Sequence, residues 1–147
     1  MAGSILCKIA RVPVVILTIP VDRPQSKQST QFGRGHAFTP PKKRKYLKYL
    51  AGQFKKCYTG EPLDGTFFLE VVYYFKKGKE HYEGQLMNNC ADVVDNLNKP
   101  VCDALSGVVI KDDRKFCGAL VFKARSSKPR IEVSIFRVTG RHTDGED

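Results

Sequence analysis

Acidic residues are nearly missing from the first 60 positions, where Asp22 alone faces twelve Lys and Arg. In a chain of 147 residues with formal charge +10, that imbalance argues against basic partners and points to polyanions. Histidine is sparse and scattered, at positions 36, 81 and 142, and the five cysteines at 7, 57, 90, 102 and 117 form no C-x-x-C pair. The common zinc-site patterns are therefore lacking. An odd cysteine count without a convincing signal sequence fits free thiols in a reducing compartment, so a cytoplasmic location is expected. Long apolar runs are also lacking. The stretch Val12 to Pro20 is interrupted by Pro13, has no small-residue cleavage site and is too short to span a bilayer, so it reads as a buried strand and no membrane partner is expected. There is no internal repeat and no low-complexity segment.

At this length one domain, residues 1–147, is expected, burying roughly 68–70 % of its unfolded surface around a single core. Residues 1–11 read as an N-terminal extension. Residues 21–38, rich in Gln, Ser, Gly and Arg without an apolar period, read as a basic mobile loop. Pro40-Pro41 opens a helix to about Lys56, with Leu47, Leu50 and Phe54 on one side. The alternation Phe67, Leu69, Val71, Tyr73, Phe75 predicts a well-covered strand over 66–75. Leu97, Val101, Ala104, Leu105 and Val108 predict a short amphipathic helix stopped near Gly107, with Pro100 in its first turn if the cap is Asn96 or Asn98. Strands over 116–124 and 130–138 follow, then a flexible tail, 139–147. The order β, α, β, α, β, β predicts an α+β domain with two main helices packed on a mixed sheet.

Residues 61–147 hold thirteen basic against fourteen acidic residues, so the second part of the chain is balanced. Five carboxylates, Asp92, Asp95, Asp103, Asp112 and Asp113, lie within 22 positions around Lys99. Clustered acids work against polyanion attraction unless a cation neutralises them, and hard ions such as Mg²⁺ take several carboxylate oxygens together with substrate phosphates. Basic surface plus clustered aspartates thus suggests metal-assisted phosphodiester chemistry. Asp95, Lys99 and Asp103 share one polar helix face, and an ordinary i,i+4 ion pair is the expectation for Asp103. Asp95, at the helix start, is placed to cap, to bind metal, or to do both in different states. For Asp112-Asp113 a polar turn between helix and strand is the plainer reading.

Asp95-Asn-Leu-Asn-Lys99, then Asp103-Ala-Leu-Ser-Gly107, then Asp112-Asp113 resembles the signature of the RusA family of Holliday junction resolvases, written D-x-D-N-L-x-K, D-A-L and D-D. Pro20-Val-Asp-Arg-Pro24 and Gly35-His-Ala-Phe-Thr-Pro40 resemble, more loosely, that family's arginine-proline loop and the lead into its first helix. The likeness runs from about Val14 to Val138. It implies a homodimeric endonuclease, dependent on Mg²⁺ or Mn²⁺, that cuts branched DNA at four-way junctions in recombination and repair. Carried over by position, Asp95 and Asp113 are metal ligands and Lys99 is the catalytic lysine. The family's first aspartate stands two residues before its second, a place held here by Val93, and Asp92 is the expected substitute. Arg23, Lys27, Arg34, Lys42, Lys43 and Arg44 are the expected DNA-backbone contacts, with affinity falling steeply with salt. The rival expectation is a protein of the same fold that binds junction or duplex DNA with weakened chemistry, because the first aspartate is displaced.

Overall fold

Alternating burial identifies the two strands that define the core face: every second residue is buried in Val15–Pro20 and in Phe67–Lys76. The computed structural model describes residues 7–25, 31–33, 36–38, 41–89 and 97–140. In these the element order is β1 (Cys7–Ile9), β2 (Val15–Pro20), β3 (Gln31–Gly33), β4 (His36–Phe38), α1 (Pro41–Cys57), β5 (Phe67–Lys76), α2 (Asn98–Leu105), a 3₁₀ turn (Asp113–Lys115), β6 (Phe116–Ser126) and β7 (Arg130–Gly140).

The main sheet is mixed. β5 runs parallel to β6 on one side and antiparallel to β7 on the other, while β2 and β1 lie end to end along the far side of β7. Since β6 and β7 flank β5, the short link between them has to step over the end of β5. It is tied down there by Lys77 N donating to Ser126 O at 3.0 Å and Lys76 Nζ donating to Ser127 O at 2.9 Å. The carboxylate of Glu83 accepts from the buried Ser126 hydroxyl and, at 2.9 Å, from Ser127 N. These bonds satisfy polar groups that the crossing would otherwise strand in the interior.

Both helices pack on the face formed by Leu17, Ile19, Leu69, Val71, Tyr73, Ile131, Val133 and Ile135. α1 contributes Tyr46, Leu50 and Phe54, and α2 contributes Val101, Ala104 and Leu105, all buried. Each such large side chain contributes roughly 1.5–3 kcal/mol by leaving water. The expected α+β architecture, a mixed sheet carrying two helices, is the one observed.

Three expectations change. Cys7–Ile9, read as part of an extension, pairs with the end of β7, Cys7 opposite Gly140. Thr139 and Gly140, read as tail, therefore belong to a strand. Residues 21–38, read as a loop, include the β3–β4 hairpin, with Gln31 opposite Phe38. β1, β3 and β4 have three residues each, too few to show a period, so their order comes from backbone pairing rather than side-chain pattern, and Thr139 and Gly140 extend the 11-residue β7 because β1 pairs with them.

Candidate active site

The second helix starts one residue after Leu97, which occupies the N-cap without a side-chain cap bond. Pro100 thus falls in the first turn, where no backbone donor is needed, as expected. The cap itself differs from expectation. Asn96 lies outside the described residues, and Asn98 turns inward instead: its Oδ1 accepts from the Tyr73 hydroxyl at 2.7 Å and its Nδ2 donates to Cys102 Sγ at 3.6 Å. Tyr73 is fully buried, and its phenol would be stranded without Asn98.

Fixing Asn98 inward sends the next residue, Lys99, outward. Its Nζ donates to Asp103 Oδ1 at 2.8 Å, the expected i,i+4 pair, and also lies 3.9 Å from Asp113 Oδ2. Asp103 and Asp113 are each about two-thirds buried, and their proximity holds Lys99 above the ordinary lysine pKa, Asp103 acting first. The ammonium is therefore a permanent cation between two oxygen donors.

What brings Asp113 there is the short reversal after α2. The helix ends at Leu105, Ser106 is extended, and Gly107 takes φ +81°, a left-handed conformation glycine adopts without strain. Gly107 N then donates to Ile110 O at 2.7 Å, and Asp113 N donates to Ser106 Oγ at 2.9 Å. On its outer side the same turn is held by Asp64, whose carboxylate meets Lys115 at 3.0 Å and Lys111 at 3.6 Å. Asp112 is engaged by Arg114 instead. It caps the 3₁₀ turn, accepting from Arg114 N at 2.8 Å and from Arg114 Nε at 3.0 Å, which pulls its pKa down to about 2. The two adjacent aspartates have separate employments: Asp112 builds the turn and Asp113 faces the lysine.

Asp92 and Asp95 lie outside the described residues, as do Lys27 and Arg34. Among the described residues no group of three His, Cys, Asp or Glu could hold a metal ion. Of the expected ligands, the described Asp113 keeps its carboxylate about one-third exposed, a hard oxygen donor of the kind that divalent ions take. Cys102, next to Asp103, is no candidate nucleophile, since burial and the two aspartates push its thiol up to about 11.

The basic residues gather elsewhere. Lys42, Lys43 and Arg44 occupy the first turn of α1, which contains no acid to oppose the positive end of the helix dipole. Arg23 follows β2, its guanidinium 5.4 Å from the centre of the Phe75 ring. Sequence reasoning passed over Ser106 and Asp64, and gave Tyr73 and Asn98 other roles, a core position and a helix cap. For Ser106 a signal existed, a serine before the glycine that ends the helix; for the other three only spatial neighbours reveal the role.

Residues 18–136 match the family described as endodeoxyribonuclease RusA. The chain belongs to that family. The RusA match begins inside β2 and ends inside β7, so it takes in both helices, the Lys99–Asp113 contact and the basic first turn of α1. The chain is also 30 % identical over 130 residues to the uncharacterized protein YqaN of Bacillus subtilis (strain 168), a likeness covering 82 % of this chain and 92 % of that protein.

Proposed function

We propose that this RusA-family chain is a structure-specific endonuclease that resolves four-way DNA junctions by metal-dependent phosphodiester hydrolysis, as a homodimer, in recombination and repair. The observation that carries the reading is Lys99 held between Asp103 and Asp113, inside a domain whose other half is strongly basic. Asp92, Asp95 and Asp113 would hold Mg²⁺ or Mn²⁺. When bound, the ion would supply water activation and charge neutralisation at the leaving oxygen. Lys99 contacts the scissile phosphate or positions the nucleophile, and its pairing with Asp103 keeps it charged and in place before DNA arrives. Arg23, Lys27, Arg34, Lys42, Lys43 and Arg44 contact the backbone, so binding weakens with salt at a slope of about −0.9 per phosphate neutralised. We place the protein in the cytoplasm, where the free thiols of Cys57, Cys102 and Cys117 stay reduced. No described helix is long and apolar enough to cross a membrane.

The deciding experiment is cleavage of a synthetic four-way junction beside linear duplex of the same sequence, with Mg²⁺ or with EDTA, and with Asp95→Asn as control. Paired symmetric nicks in the junction alone, lost in EDTA and in the variant, support the proposal. One sequence feature favours a second reading, a junction- or duplex-binding protein of weakened chemistry: Val93 stands where the family has its first aspartate. Tight junction binding without cleavage in Mg²⁺ or Mn²⁺ would select it.

A further inference from the structure

The exit of β2 and the first half of α1 line an open cavity of about 710 Å³. Its wall carries three cations, Arg23, Lys42 and Lys45, and two phenols, Tyr46 and Tyr49, with Asp22 as the opposing charge. Among the described residues neither Lys42 nor Lys45 forms an ion pair with a carboxylate. Cations left unpaired around a concave site are suited to an anionic ligand.

The phenols specify more. Tyr46 is 6 % exposed, and its hydroxyl accepts from Gln25 N at 3.3 Å but gives its own proton to no acceptor among the described residues. Burial raises its pKa, so the proton stays on the oxygen. A buried hydroxyl with an unused donor in a cavity wall is suited to a ligand acceptor. Tyr49 differs: its hydroxyl is anchored to the carbonyl of Pro20, while the residue remains 40 % exposed. An aromatic ring fixed at one end and open on the other side is a ready stacking surface, because little rotational freedom is left to lose. The site thus offers cations for a phosphate, a donor for a carbonyl and a flat ring for a base.

The geometry points to this cavity as the seat of one unpaired nucleotide of a DNA strand, its phosphate at Lys42 and Lys45, its base against Tyr49 and a base acceptor at the Tyr46 hydroxyl. The assignment rests on the nucleic-acid reading above and adds a substrate feature to it: the chain takes hold of a base that is out of the duplex. Tyr46, in the cavity wall, belongs to the same core cluster as Tyr73, the residue bonded to Asn98 beside Lys99.

The test is fluorescence anisotropy with the full chain in EDTA, using a short fluorescein-labelled oligothymidylate, a linear duplex, and unlabelled dTMP as competitor. Tyr49→Ala and Tyr46→Phe should each weaken the single strand by about tenfold, the scale of a lost base contact, with duplex affinity changed less than about twofold. Tyr49→Phe should recover the single-strand affinity that Tyr49→Ala loses, because it keeps the ring. Thermal melting confirms that the variants fold, and Tyr46→Phe preserves the core ring if Tyr49→Ala does not. Unchanged single-strand binding in both variants overturns the assignment, and so does an equal loss for single strand and duplex. Binding of dTMP, read by isothermal titration calorimetry, without binding of the oligonucleotide overturns the strand assignment in favour of a free nucleotide. Because no metal is present, the result is independent of junction cleavage: a chain that cleaves junctions but shows no such binding loses this inference alone.

Discussion

Lys99 and Asp113 meet at 3.9 Å across the Gly107 reversal, and the same ammonium is hydrogen-bonded to Asp103 at 2.8 Å. The pair joins two segments that are separated in the chain by the end of α2 and a tight turn. If Lys99 works on the scissile phosphate, Lys99→Ala should lower the rate of junction cleavage by on the order of 100-fold, the scale seen when one charge-stabilising donor is removed. Asp103→Asn should lower it less, since the lysine loses only its near partner. Stability should change by no more than about 0.5 kcal/mol in Asp103→Asn, as for other exposed i,i+4 pairs. Single-turnover cleavage and thermal melting on the same preparations separate the two effects. A cleavage rate that is unchanged in Lys99→Ala removes the lysine from the mechanism.

Gly107 has φ +81° with open space around its α-carbon, so a methyl group there would clash with nothing and only the backbone would be strained. Gly107→Ala should destabilise the fold by about 1–2 kcal/mol, the left-handed penalty for an ordinary residue. It should also loosen the Asp113 N to Ser106 Oγ bond, and cleavage should fall beyond what the loss of folded protein explains. Denaturant melts compared with activity per folded molecule give the answer.

Tyr73→Phe leaves Asn98 Oδ1 without its buried donor, at a cost of about 1 kcal/mol. Because Asn98 directs its neighbour Lys99 outward, the variant should also reduce kcat more than KM. A stability loss with no change in kcat would confine Tyr73 to the core.

Asp112 gives a signed pH dependence. Arg114 holds its folded-state pKa down to about 2, whereas an unfolded aspartate titrates near about 3.9. A lowered carboxylate pKa contributes stability that is present above the unfolded value and disappears as pH falls through the folded one. Asp112→Asn should therefore melt below the parent chain above about pH 4, with the gap closing by about pH 2. A gap that stays constant over that range would show that the ion pair with Arg114 adds nothing.

Much of this could be read before any coordinates. The alternation in β5, the amphipathic period of both helices and the charge contrast between the two parts of the chain are local patterns; the first two set the α+β class and the third pointed to a polyanionic partner. The ordered motifs around Lys99, Asp103 and Asp113 pointed to the right family, because such spacing is itself a sequence property. The separate duties of Asp112 and Asp113 were not legible, since adjacent identical side chains differ only in what they face. Nor were the Tyr73–Asn98 bond, the Asp64 clamp or the cavity at Tyr46 and Tyr49. Each depends on distant segments meeting: β5 against α2, the approach to β5 against the 3₁₀ turn, β2 against α1. Periodicity decides which side of an element is buried; packing of one element on another decides which polar groups are left to find each other, and only the tertiary structure contains that.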